Sequence, residues 1–163
     1  MTSPVLQSRI DRFKAGLSLS EIARQDGKAF HTIYNHLREH NAIPDTYLVD
    51  EFDKAIARAG LPEPEREYPF VKFVPIELYG LFLTKTGKPR KWASDRAYPF
   101  HQLAIEIDGG KHMHRGGAHG SDREKRNAYT ICGVRTLYFD TDMLEDPDAC
   151  AEIVRLALTA HQQ

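Results

Sequence analysis

Residues 91–127 read KWASDRAYPFHQLAIEIDGGKHMHRGGAHGSDREKRN, and the fold turns on how the acids in this run meet. From Leu103 to Asp108 the chain alternates: Leu103, Ile105 and Ile107 on one side, Ala104, Glu106 and Asp108 on the other. That period of two marks a strand with one apolar face and two carboxylates on the opposite face. Residues 92–98 read as a second strand, and YPFHQL between the two has the Pro and the length of a hairpin connection. With Tyr98 facing Leu103, Asp95 falls opposite Glu106. Facing residues of an antiparallel pair share a side of the sheet, about 5 Å apart at Cβ. Two carboxylates so placed repel unless a cation, a proton or a basic group joins them. The spacing therefore predicts a site for a hard divalent cation, and a one-residue slip in register would dissolve it.

A glycine- and histidine-rich segment follows, carrying Lys111, His112, His114 and His119. Ser121 with Glu124 then has the spacing of a capping box, and Gly133 suits the position just past a helix end. On that helix Asp122 and Lys125 share one side, while Ala128, Ile131 and Cys132 are expected to face a core. Asp108 is either a third ligand or the cap of the glycine turn. His112, His114 and His119 could instead bind zinc, although structural zinc sites usually recruit cysteine and none lies near.

These residues carry a family resemblance. An acid on the first strand (Asp95), AIEIDGG on the second, a loop histidine, the D-x-x-K-x-N helix (Asp122, Lys125, Asn127) and a strand opened by Gly133 resemble endonucleases related to the very-short-patch-repair enzyme. That group belongs to the PD-(D/E)xK nuclease superfamily. The likeness extends over roughly residues 59–144, including AGLPEPEREYPF. It implies an α/β fold, restriction-endonuclease-like, with a mixed sheet flanked by helices. It also implies Mg²⁺, for which Mn²⁺ can substitute, held by Asp95, Glu106 and Asp108. His119, Lys125 and Asp122 complete the implied catalytic set, with an acid from the N-terminal region, Glu65 or more readily Glu67. One departure is plain: the superfamily places a lysine two residues after the second acid, where this chain has Asp108. Lys125, Lys111 or a histidine would then supply the missing positive charge.

Upstream, residues 3–16 read as a helix opened by Ser3–Pro4 and closed by Gly16. Ser18 and Glu21 form a capping box for a second helix, Gly27 breaks it, and residues 30–39 make a third. Ala23, Gly27 and Ile33 fall at the spacings of a helix-turn-helix: the small residue for close crossing, the glycine for the turn, the isoleucine as anchor. Its recognition helix would show Lys28, His31, Thr32 and Asn35 to a DNA groove, asparagine being suited to adenine and lysine to phosphate. A three-helix cap that merely packs on its neighbour is the plainer alternative.

The expected organisation is a helix-turn-helix module over 1–44, a connecting helix and linker over 45–68, and a nuclease domain over 69–163. Within the last, residues 70–84 are expected to supply one or two strands. Lys85, Lys88, Arg90 and Lys91 form a basic turn suited to phosphate contacts. Residues 134–139 read as a buried strand, and 143–161 as an amphipathic closing helix.

The 163-residue length fits one ordinary domain with a small module, and no segment is long enough to span a membrane. A polar start without a hydrophobic run predicts no secretory signal. Two cysteines fit a reducing cytoplasm, bacterial or that of a phage-infected host. The formal charge of −1 leaves DNA contact to local basic patches. Helix-turn-helix modules often pair on two-fold sites, which makes a homodimer compatible with the chain, though no seam for it is evident. The expected activity is hydrolysis of DNA phosphodiesters. The alternatives are a non-catalytic DNA-binding regulator on a degenerate nuclease scaffold, or a nuclease for RNA or branched DNA.

Overall fold

The computed structural model describes residues 3–108 and 118–160, with side chains from residue 123 onward in the second segment. The chain is an α/β protein built on a four-stranded mixed sheet flanked by helices. Three short helices come first. The Ser3 hydroxyl accepts the Leu6 amide at 3.1 Å and opens α1 (Pro4–Lys14). α2 (Leu19–Asp26) carries both bonds of its capping box: Ser18 accepts the Glu21 amide at 3.2 Å, and Glu21 accepts the Ser18 amide at 2.9 Å. Gly27 turns the chain at φ 61°, a left-handed angle that a side chain would oppose, and α3 (Phe30–Glu39) follows. Asp26 ties α1 to α2 through Arg9 at 2.6 Å and Arg12 at 2.7 Å.

α4 (Tyr47–Arg58) leads to β1 (Glu65–Pro69), then β2 (Ala93–Tyr98), β3 (Leu103–Asp108), α5 (Ala118–Ile131), β4 (Arg135–Asp140) and α6 (Pro147–Thr159). The strands lie in the order β1-β2-β3-β4; the first two pairings are antiparallel and β3–β4 is parallel. A parallel neighbour demands a crossover, and α5 supplies it.

One face of the sheet, with Tyr98, Leu103, Ile105 and Phe139, packs on α4 and α6 and is continuous with the buried residues of α1–α3. The other, with Ala97 and Ala104, meets Ala128 and Tyr129 of α5 and the rings of Phe70 and Phe73. A bidentate ion pair from Arg96 on β2 to Asp53 on α4, at 2.8 and 2.7 Å, pins the first face to its helix.

Several expectations need correction. The helix expected within 45–68 is α4, which packs against α6, but the stretch read as linker ends in an edge strand, Glu65–Pro69, whose Tyr68 pairs with Ser94. The run 70–84 contains 3₁₀ turns at Phe70–Phe73 and Ile76–Phe82 instead of strands, with one isolated bridge from Leu83 to Pro89. Prolines 69 and 75 open both turns, and Phe70 and Phe73, three apart, point into the same core. α5 starts at Ala118, so Ser121 lies inside it and is not its cap; Ile131 is 56% exposed. β4 is an edge strand whose one fully buried residue is Phe139. α6 begins at Pro147, capped by the Asp146 carboxylate on the Ala149 amide at 3.0 Å, after a separate 3₁₀ turn at Met143–Glu145.

Candidate active site

The hairpin register is the one the sequence predicts: Tyr98 faces Leu103, Ala97 faces Ala104 and Arg96 faces Ile105. Gln102 takes a left-handed φ of 48° after the 3₁₀ turn Pro99–His101, which closes the connection without a slip. Asp95 and Glu106 consequently line one open cleft of about 370 Å³, together with Asp108, Lys91, Trp92, Lys125, Arg126 and Tyr138.

Asp95 is held by the backbone and Glu106 by α5. Asp95 Oδ2 accepts the Ile107 amide at 2.6 Å, so the carboxylate of one strand is bonded to its neighbour. Glu106 Oε2 accepts from Lys125 Nζ at 2.8 Å, and the same ammonium donates to the Ala93 carbonyl at 2.7 Å. Tyr129, one turn after Lys125, directs its hydroxyl at Glu106 Oε1 at 3.4 Å. Burial raises the Glu106 pKa, and the Asp95 carboxylate adds to the shift; Lys125 and Tyr129 oppose it and do not cancel it. A buried carboxyl that one ammonium cannot bring back to its ordinary value has a deficit of positive charge, which a divalent cation would fill.

That shift has a signed consequence. The folded pKa lies above the unfolded one, so the charged form costs stability above the folded pKa. The cost is relieved as pH falls through it toward the ordinary 4.5. A cation competes with the same proton. If Glu106 holds a divalent cation, Mg²⁺ affinity followed by calorimetry from neutral to acid pH should collapse with a midpoint above 4.5. A midpoint at or below the ordinary glutamate value would remove Glu106 as a ligand.

The other anticipated residues are placed as follows. Asp108 is exposed at the cleft, and its carbonyl accepts from the Thr141 hydroxyl at 3.3 Å. Glu67 does not line the cleft; it is exposed on β1 with φ 45°. Lys111 and His112 lie outside the described residues, as do the side chains of His119 and Asp122. Among the described residues no group of three or more His, Cys, Asp or Glu stands close enough to hold an ion. Of the basic turn, Lys91 reaches the cleft, while Lys85 and Lys88 are exposed at the tip. Arg90 lies over the Trp92 ring at 5.2 Å and pairs with Glu124 at 3.1 Å. Lys28, just before α3, and Thr32 on it are exposed, and Asn35 is half-buried. His31 Nδ1 lies 2.9 Å from Asp142 Oδ1, an acid of the segment after β4.

Tyr129, Tyr138 and Arg126 contribute beyond the expected set. Tyr129 was legible from its position four after Lys125 on one helix face. Tyr138, 40% exposed, sits beside Glu106 in the parallel register, with the Arg126 guanidinium 4.5 Å above its ring. That neighbour depends on a long-range register that no local pattern specifies.

The arrangement defines an α/β protein with an open cleft beside its central hairpin, in which Lys125 bonds one of two neighbouring carboxylates, Asp95 and Glu106. Comparison with family models, with curated proteins and with solved structures finds no match. Among the described residues no helix is long and apolar enough to cross a membrane.

Proposed function

We propose that the protein is a Mg²⁺-dependent DNA endonuclease of the PD-(D/E)xK type, with Mn²⁺ able to substitute, directed by its N-terminal helix-turn-helix. The observation that carries this reading is the meeting of Asp95 and Glu106 in one cleft with Lys125 bonded to Glu106. Two converging carboxylates, one with its pKa raised by burial, fit a hard cation in an open cleft with room for water and a phosphate. When bound, such a cation supplies Lewis acidity toward water and phosphate.

The rest falls to the chain itself. Asp95 and Glu106 are pre-set by the Ile107 amide and by Lys125 and Tyr129, so little reorganisation precedes binding. Lys125 answers the departure at Asp108. It carries an ammonium to the second acid from α5 instead of from β3, and it can orient water or offset charge on the phosphate in the transition state. Lys91 and Arg126 on the cleft wall offer phosphate contacts. Lys28 just before α3, with Thr32 and Asn35 on it, offers the groove-reading set.

Plasmid incubated with Mg²⁺, with Mn²⁺ and with chelator tests this directly: nicked or linear products are expected with either metal and none with chelator. Lys125→Met should lower the rate by about 10²-fold or more while leaving duplex affinity nearly unchanged. Wild-type rates in that variant would remove Lys125 from the chemistry. The second reading, a DNA-binding regulator without catalysis, draws on Asp108 standing where a lysine is expected. Tight, sequence-selective binding without metal-dependent nicking would select it. The same plasmid assay run beside single-stranded RNA and branched DNA at one salt concentration sorts the substrate class.

A further inference from the structure

The geometry points to a fixed, short offset between the bases this protein reads and the bond it cuts: both lie within one turn of the same duplex. The inference rests on the endonuclease reading and adds to it where cleavage falls.

Three observations carry it. First, the reading helix is not tethered by a flexible linker. Leu19, Ile22, Phe30, Ile33 and Tyr34 share one buried cluster with Phe52 of α4 and Phe139 of β4. Second, that helix abuts the end of the sheet beside the cleft. The His31 ring of α3 is 2.9 Å from Asp142, and the Ser20 hydroxyl of α2 donates to the Glu145 carbonyl at 3.2 Å. Third, Asp142 lies two residues past the end of β4, and β4 runs in register beside the acids: Tyr138 against Glu106, Asp140 against Asp108.

The distance is bounded by covalent reach. Four residues from Tyr138 to Asp142 span at most about 14 Å, and neighbouring strands lie about 4.8 Å apart. With the two side chains that join His31 to Asp142, the α3 backbone is at most roughly 30 Å from that of Glu106. One turn of B-DNA is about 34–36 Å. A duplex that seats α3 in its major groove and also enters the cleft, which opens at the ends of β3 and β4, therefore does both within one turn. Asp142, an acid beside α3, already has His31 as its partner. Thr32 and Asn35 remain for the groove.

A photoreactive benzoylphenylalanine in place of Lys91, at the cleft, tests the offset without any need for cleavage. The full-length chain is mixed in chelator with a randomised duplex library. Bound sequences are enriched, and bases whose enrichment disappears in Asn35→Ala mark what α3 reads. Cross-links are expected at one fixed offset, within about ten base pairs of those bases. Cross-links beyond one turn or scattered over many offsets would overturn the inference, as would an enriched sequence that Asn35→Ala leaves unchanged. A fixed short offset in a protein that never nicks with Mg²⁺ would keep the geometry and remove only the endonuclease assignment.

Discussion

Asp95→Asn is expected to abolish metal-dependent nicking, by at least about a hundredfold, while duplex binding survives. Outer-shell partners of metal ligands already cost about 10–100-fold when removed, and a direct ligand should cost no less. The amide keeps the shape of the carboxylate, and its oxygen can still accept the Ile107 amide, so the hairpin should hold. What it loses is the charge that faces Glu106 and adds to the raised pKa of that residue. The Glu106 carboxyl, followed by NMR, should therefore titrate lower in the variant than in the wild type. Full Mg²⁺-dependent activity in Asp95→Asn would remove the ligand assignment. Lost activity with an unmoved Glu106 titration would show that the two acids do not sense each other.

The second large effect concerns stability. Phe52 is fully buried on α4, with its ring 5.5 Å from Phe139 of β4, at the junction of the N-terminal helices and the sheet. Phe52→Ala should cost about 3–5 kcal/mol, a large share of the roughly 5–15 kcal/mol typical of a domain. Since one cluster runs from Leu6 to Leu158, the loss should be felt throughout. Trp92, the single tryptophan, packs on Phe70 at 5.6 Å in the cluster on the opposite face of the sheet. Its fluorescence reports that face, while far-ultraviolet circular dichroism reports mainly the helices. Both urea transitions are expected to shift together in Phe52→Ala. A shift in one alone would show two independently folding units. The same coupling makes removal of residues 1–44 a poor probe of DNA reading, because it would uncover Leu48 and Phe52; Asn35→Ala is the cleaner variant.

The hairpin was legible because two local signals agree: strict alternation over Leu103–Asp108 and a proline-led connection that sets which residues face. The helix starts at Ser3 and Ser18 were legible for a similar reason, since a cap is a contact between near neighbours. At Ser121 the same spacing misled, because a capping-box pattern also occurs inside a helix when residues before it extend the helix backward. The run 70–82 looked like strands because aromatic and β-branched residues dominate it. Its three-residue period from Phe70 to Phe73 and the prolines at 69 and 75 that open its turns carry the better signal. Lys125 could be placed near the acids from the resemblance alone. That it meets Glu106 and not another partner depends on how α5 crosses from β3 to β4, which is tertiary packing.

β1 bears on handling as much as on architecture. It bounds the sheet, and an unpaired outer rim of amides and carbonyls invites another chain to add on. Here the rim is five residues long, begins just after Pro64, ends at Pro69 and is kinked midway by Glu67 at φ 45°. Prolines offer no amide hydrogen, and the kink interrupts any flat template. The strand is thus built to resist edge-to-edge polymerisation, and concentrated preparations should stay free of fibrils through this feature.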